Sequence, residues 1–205
     1  MKLLALLLCL MMLPAAFAEE IVLYDRVADP SLASPFAEDA RLLEIYFPKI
    51  TGVDAAFVRY GENSMLIDCG GEQWREVEKL LNRLGVTEIT YALNSHPDAD
   101  HIGGYHRVLA SIPAKEFIYG FPEDYPDTDD ICHKVYAFLH EANVPMRRAE
   151  NGGTLAFGDV SATMYQLEDE SIARVNNRSV ILMMKLGERS ILFAGDLQKL
   201  GQNTF

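Results

Sequence analysis

Positive charge is what this sequence has least of. Its 205 residues carry 18 Lys and Arg against 30 Asp and Glu, a net charge of −12. That excludes the broad basic footprint that holds a nucleic-acid backbone, so no stable nucleic-acid complex is expected. It also argues against docking on anionic lipid. Phosphate held locally through metal ions is not excluded. Cysteine is scarce too, at 3 residues, which excludes a disulfide-stapled scaffold and any Cys-x-x-Cys metal knuckle. The chain has no internal repeat, no low-complexity stretch and no interdomain linker, so one domain is expected. Past Leu13 no apolar run is long enough to span a bilayer.

The single long apolar run is informative in itself. Lys2, then Leu3 to Leu13, then Ala16-Phe17-Ala18 ahead of Glu19-Glu20 has the order of a secretory signal peptide. Residues 1–18 are therefore expected to be removed on export, leaving a secreted or extracytoplasmic protein with no membrane association. Cys9 leaves with them. Cys69 and Cys132 are expected to be two separate small apolar residues, since neither belongs to a metal-type pair. Residues 19–40 read as a polar lead-in whose only strand-like piece is Ile21 to Tyr24. Residues 41–205 read as the domain proper.

Within that domain the period of the apolar residues changes several times. Leu42 to Phe47 reads as a strand, and Ala55 to Tyr60 and Ser64 to Asp68 as a hairpin around Gly61-Glu62-Asn63. Trp74, Val77, Leu80, Leu81 and Leu84 recur at helical spacing, and Gly85 stops that helix. Ile89 to Asn94 is a short buried-type strand that runs into a polar, Gly-rich loop, Ser95 to Gly104. A short helix over Tyr105 to Ser111, a strand at Phe117 to Gly120 and an acidic loop at 121–130 follow. Ile131, Val135, Phe138 and Leu139 mark a second helix. Pro145 to Arg148 and Ser161 to Leu167 read as strands, and Ser179 to Leu186 with Ser190 to Ala194 as a late hairpin. Strands in hairpins followed by helices predict mixed sheets with helices packed outside, an α/β or α+β layered fold.

The chemistry concentrates in His96-Pro97-Asp98-Ala99-Asp100-His101-Ile102-Gly103-Gly104. Four metal-ligand side chains fall within six residues, directly after an apolar strand that can aim the loop. Imidazole and carboxylate together suit zinc, and also manganese or iron. Such short spacing cannot bring all four to one ion without strain, but it can divide them between two adjacent ions, an arrangement suited to activating water and stabilising charge on the attacked group. The glycines allow a sharp turn and the start of a helix close to the site. The bland alternative is a solvated Asp/His loop capping a helix. The strand before the cluster and the Gly pair after it favour metal binding.

This stretch resembles the metallo-β-lactamase fold superfamily, whose signature reads His-x-His-x-Asp-His and then Gly-Gly. Asp98 stands where the second His is usual. With Pro97 beside it, the pattern looks most like the metallo-β-lactamase domain of the DNA-uptake competence protein ComEC and its secreted single-domain relatives. Leu66-Ile67-Asp68 with Gly70-Gly71, Asn176-Asn177-Arg178-Ser179, and Leu192-Phe193-Ala194-Gly195-Asp196 extend the match. The resemblance implies a four-layer αββα sandwich and a metal-dependent hydrolase that uses a metal-bound hydroxide. It implies that His96 and Asp98 serve a first metal and Asp100 and His101 a second. Asp100 would also orient the catalytic water, and Asp196 would bridge the two ions. Asp68 would brace the metal loop as a structural residue, with Gly103, Gly104 and Asn177 also in supporting places. The expected cofactor is zinc, two ions, with manganese as the alternative.

Three departures stand out. Of the strand-one loop Gly-x-Gly-Asp only Asp54 matches. The usual third histidine of the first metal site is absent, and its neighbourhood, Leu167 to Asn177, offers Glu168, Asp169, Glu170, Asn176 and Asn177 instead. The superfamily's final helix, strand and His-His-Gly stretch do not follow Asp196, so the domain is expected to be partial or its site incomplete. His133 and His140 read as solvated helix residues; His106, close after the Gly pair, faces either the cleft or solvent, and solvent is the preferred reading. The substrate expected from the resemblance is a phosphodiester, nucleic acid or nucleotide, whereas the acidic balance favours something small. A lactam, lactone or thioester hydrolase and a non-catalytic metal- or ligand-binding module are the alternatives.

Overall fold

The computed structural model describes residues 42–126, 128–167 and 175–204. The expected signal peptide, the lead-in with its Ile21 to Tyr24 strand, and Glu168, Asp169 and Glu170 lie outside the described residues.

Two sheets account for the strands. In the first, β1 (Leu43–Tyr46), β2 (Ala56–Tyr60) and β3 (Asn63–Ile67) are antiparallel neighbours. Then β4 (Ile89–Asn94), β5 (Ala114–Tyr119) and β6 (Met146–Arg148) join in parallel, in the order β1-β2-β3-β4-β5-β6. The second sheet is antiparallel, in the order β10-β9-β8-β7, from β7 (Thr154–Phe157), β8 (Val160–Tyr165), β9 (Ile181–Leu186) and β10 (Arg189–Phe193). The helices are α1 (Trp74–Arg83), α2 (Ala99–Ile102), α3 (Tyr105–Ser111), α4 (Asp130–Glu141) and α5 (Lys199–Thr204). Among the described residues no helix is long and apolar enough to cross a membrane.

Alternation along the strands of the first sheet builds two cores. Phe57, Leu66, Ala92 and Phe117 face one way and pack with Val77, Leu81, Tyr105, Val108, Val135 and Leu139 of α1, α3 and α4. Their neighbours Val58, Met65, Ile67, Leu93 and Ile118 face the other way, against Leu155, Phe157, Met164, Leu182 and Met184 of the second sheet. Helices, sheet and sheet are thus stacked as the sequence implies, in a mixed α/β architecture. On the outer face of the second sheet the paired Met183 and Leu192 are exposed.

The strand and helix assignments agree with the sequence reading at most positions, with four differences. Thr154–Phe157 is a strand to which the sequence reading assigned no element. It is short and half-exposed, so only two of its residues carry an apolar signal. β5 starts at Ala114 instead of Phe117, its first residues paired with the start of β4. Residues 99–102, expected as loop, form one helical turn. Lys199–Thr204, which was given no element, is helical. Cys69 and Cys132 are buried and unpaired, as expected.

Because β3 and β4 are parallel neighbours, their C-terminal ends leave the sheet side by side. Asp68 follows the first and Ser95-His96 the second, so one sheet edge carries both halves of the site. The second sheet is tied to the same edge by the Val180 N–H, which donates to the Ser95 carbonyl at 2.9 Å.

Candidate metal centre

Asp68 turns out of β3 with φ of 54°, in the left-handed region that Asp tolerates better than most residues. Its carboxylate is buried and fully engaged. Oδ1 accepts from the Ser95 N–H at 2.8 Å and from Asn94 Nδ2 at 3.2 Å. Oδ2 accepts from the Ser95 hydroxyl at 2.6 Å and from His101 Nδ1 at 2.8 Å. Four donors occupy the four lone-pair directions of a carboxylate. Asp68 therefore braces the site and has no lone pair left for an ion.

These bonds also determine where the imidazole hydrogens sit. A carboxylate only accepts, so His101 Nδ1 carries a hydrogen. Ser95 Oγ spends its one hydrogen on Asp68, so at 2.9 Å from His96 Nδ1 it must accept, and His96 Nδ1 carries a hydrogen too. Ser179 Oγ lies 3.4 Å from the same Nδ1. Both rings, 4.0 Å apart between centroids, are thereby left with Nε2 for the cleft. His96 Nε2 is buried and has no hydrogen-bond partner among the described residues. An acceptor nitrogen so placed is what a metal ligand needs, and hydrogen bonds from the far side of the ring are the usual way such ligands are oriented.

Three carboxylates face the two Nε2 atoms. Asp98 Oδ2 is 3.4 Å from His96 Nε2, Asp196 Oδ1 is 3.5 Å from His101 Nε2, and Asp100 Oδ2 is 3.9 Å from His101 Nε2. The histidine side chains are at most 2% exposed, whereas these acids are 40–47% exposed, so the site has a dry floor and a wet acidic rim. His96, His101 and Asp196 bring ligand atoms within 4.8 Å of one another. Asp54, Asp68 and His101 do so as well, but there both Asp68 and His101 Nδ1 are already committed to each other. We favour the first group on that ground.

The backbone explains why the loop holds this shape. Asp98 opens α2, its carbonyl accepting from the His101 and Ile102 N–H groups, and the Cys69 N–H donates to the His101 carbonyl at 2.8 Å. Gly104 has ordinary helical angles. It is glycine because a Cβ would overlap the Cys69 carbonyl oxygen and come within 2.9 Å of Trp74 Cβ. A Cβ on Gly103 would collide with the Ala99 carbonyl. At the far side, Gly195 has φ of 51° and a Cβ there would lie 2.9 Å from Ser95 Cβ. That close approach lets Asp196 reach the His pair from the end of β10.

Of the supporting positions, Asn177 is buried and its Oδ1 accepts from the Gly201 N–H in the first turn of α5, and among the described residues it makes no hydrogen bond to the acids. Its neighbour Asn176 does touch them: Nδ2 reaches Asp196 Oδ2 at 3.3 Å and Asp98 Oδ2 at 3.5 Å. Asp54 lies beside the site, its N–H on the Asp100 carbonyl, and burial followed by the Asp68 charge pushes its carboxyl above the ordinary range. His133 and His140 are exposed and away from the site, as expected, with His140 Nε2 on Glu123 at 2.8 Å. His106 differs from expectation: it is half-buried, with Nδ1 enclosed and without a partner. Sequence reasoning missed Ser95 and Ser179, and offered Asn176 only as one of several residues near the absent third histidine. Ser95 had the clearest signal, a hydroxyl immediately before the first ligand candidate.

Burial and the neighbouring His101 charge push His96 below its ordinary pKa. Burial works against the His101 proton as well, but the Asp68 hydrogen bond and the Asp68, Asp196 and Asp100 charges outweigh it and raise His101 from 6.5 to about 9. The sign of the consequence is direct. An ion must displace that proton, so divalent-metal affinity should rise roughly tenfold per pH unit and level off above about pH 9. The same proton stabilises the metal-free fold fully below about pH 6.5 and ceases to do so as pH passes through about 9. Competition titrations with a zinc chelator across pH 6–10 would show this slope, and a flat profile would contradict it.

Comparison with known proteins supports the fold. The model of the family described as metallo-beta-lactamase superfamily matches residues 49–204. ComE operon protein 3 of Bacillus subtilis (strain 168) is 27% identical over 157 residues, which is 67% of this chain and 20% of that protein. Among solved structures, MEM-A1, a subclass B3 metallo-beta-lactamase isolated from a soil metagenome library, superposes with a TM-score of 0.52 at 16% identity over 72% of this chain and 58% of that one. The metallo-beta-lactamase fold protein YhfI from Bacillus subtilis does so with a TM-score of 0.52 at 13% identity over 74% and 61%. At these identities the solved structures speak to the fold. The chain spans a fifth of the curated relative and about three-fifths of each structure.

Proposed function

The chain belongs to the metallo-beta-lactamase superfamily, and from that premise we propose that it is an exported, metal-dependent hydrolase acting on phosphodiesters of small size. The observation that carries this reading is the pair of buried imidazoles whose Nε2 atoms face one acidic rim, one of them without a hydrogen-bond partner among the described residues. His96, His101 and Asp196 would hold an ion, with Asp98 and Asp100 beside them for a second. The imidazole and carboxylate donors fit zinc, with manganese the next choice. A divalent ion bound there supplies a Lewis acid and lowers the pKa of water.

The chain's own residues do the rest. Asp68 and Ser95 hold both rings in one tautomer. Asp100, exposed at the rim 3.9 Å from His101 Nε2, would orient the attacking water and take its proton. Asn176 keeps Asp98 and Asp196 from repelling one another by donating to both. The net charge of −12 favours a nucleotide-sized substrate over a long polyanion.

The test is hydrolysis of bis-p-nitrophenyl phosphate by purified protein with and without added zinc or manganese, alongside metal content. Metal-stimulated turnover that disappears in His96→Ala is expected. Nitrocefin turnover without phosphodiesterase activity would favour a lactam substrate instead. Fewer than one bound metal together with no hydrolysis would leave a non-catalytic binding module.

A further inference from the structure

Arg178 is an arginine in an unusual position. It is only 7% exposed, yet among the described residues no carboxylate pairs with it. Its guanidinium lies over the Phe121 ring at 5.5 Å and the Tyr125 ring at 5.8 Å, and those rings meet edge to face at 4.8 Å. Nε donates to the Leu167 carbonyl at 3.4 Å and Nη1 to the Tyr125 hydroxyl at 3.3 Å. Nη2 makes no hydrogen bond among the described residues, and it is not one of the fully enclosed unpartnered atoms. The Nη2 end of the guanidinium is therefore not fully enclosed.

Desolvating a cation without a countercharge is unfavourable, and two aromatic faces offset only part of that. The protein nevertheless invests in holding it. Gln166 Nε2 donates to the Arg178 carbonyl and to the Gly120 carbonyl, clamping the residue to the end of β5. The described acids of the 121–130 loop do not neutralise it: Glu123 is taken by His140, and none of them forms an ion pair with Arg178.

Its place in the chain matters as much as its chemistry. On one side Asn176 touches Asp98 and Asp196; on the other Ser179 touches His96. Arg178 is thus anchored between two residues of the metal centre while its side chain extends over the end of β5. That is about one strand spacing, ~5 Å, farther along the sheet edge than the His96 loop. A rigid, planar fork of N–H donors with a phenol hydroxyl beside it suits the oxygens of a phosphate.

We propose that Arg178 and the Tyr125 hydroxyl form an anion subsite next to the metal centre, which takes a phosphate group of the substrate. The proposal deepens the hydrolase reading and rests on it for the identity of the substrate, but its test does not require turnover. Inorganic phosphate is titrated into the full-length protein, freed of metal by chelation so that bound ions do not take the anion. Phosphate should bind the wild type, at least tenfold more weakly in Arg178→Met, and with an intermediate loss in Arg178→Lys, which keeps the charge and removes the fork. Equal affinity in wild type and Arg178→Met would overturn it.

A second measurement needs no variant and uses the protein as purified. Phenylglyoxal modification is followed residue by residue by mass spectrometry. Phosphate should slow modification of Arg178 several-fold and leave the exposed Arg148 unchanged. Absence of protection at Arg178 would overturn the subsite even if hydrolysis had been found. Protection without any hydrolysis would keep the subsite and reject the enzyme.

Discussion

Asp68→Ala should abolish tight metal binding and cost about 3–5 kcal/mol of stability, because it removes the acceptor for four buried donors at once and leaves a raised-pKa imidazole without its countercharge. Asp68→Asn separates the two effects. The amide oxygen can still accept from the Ser95 N–H and Asn94, so the fold should lose less. The amide nitrogen, however, would face the Ser95 hydroxyl and His101 Nδ1, and a donor cannot serve donors. Ser95 is then free to give its hydrogen to His96, which moves that ring's own hydrogen to Nε2 and blocks it as a ligand. Metal content by mass spectrometry and thermal unfolding should therefore diverge: near-complete metal loss in the Asn variant with a smaller drop in Tm than in the Ala variant. Wild-type metal content in Asp68→Asn would show that the tautomers are not set through Ser95.

Gly104→Ala should be the most damaging single methyl group in the domain. The backbone angles at Gly104 suit any residue, so strain plays no part. The obstacle is space, since the new Cβ would overlap the Cys69 carbonyl and press on Trp74. Neither the Cys69 backbone nor the Trp74 Cβ can rotate away, and α3 would have to separate from the turn that follows β3. We expect a loss of about 3 kcal/mol or more, which for a domain of this size lowers Tm by roughly 6–12 °C. The same movement would displace His101, whose carbonyl is tied to the Cys69 N–H, so metal affinity should fall with stability. Gly152→Ala is the control. Gly152 has φ of 79° but nothing within 4 Å of a Cβ, so only backbone strain opposes it, about 1 kcal/mol. Equal Tm shifts in the two variants would remove close packing as the explanation for Gly104.

Much of the fold was legible because it rests on local periodicity. The α1 stripe ending at Gly85, the Ala56 to Ile67 hairpin and the buried run Ile89–Asn94 each carry their signal within a few residues. β7 was not legible, since a four-residue half-exposed strand has too few apolar positions to show a period. The helical turn at 99–102 was hidden for a different reason. Its residues were read as ligands, and the same Asp98 that faces His96 also opens that turn.

The candidate site divides along the same line. The sequence by itself determined the chemical inventory: two imidazoles and two carboxylates on one loop, a bracing Asp at the end of an earlier strand, and an Asp after a late hairpin. Residue type and spacing are enough to establish that. Only the tertiary structure decided how the inventory is used. Asp68 is saturated and cannot be a ligand, Ser95 sets both tautomers, Asn176 and not Asn177 touches the acids, and Arg178 sits beside the centre instead of in it. Each depends on which atoms of distant segments meet where β3, β4 and β10 end, and a hydrogen bond's direction follows from all its partners together. No local pattern contains those partners.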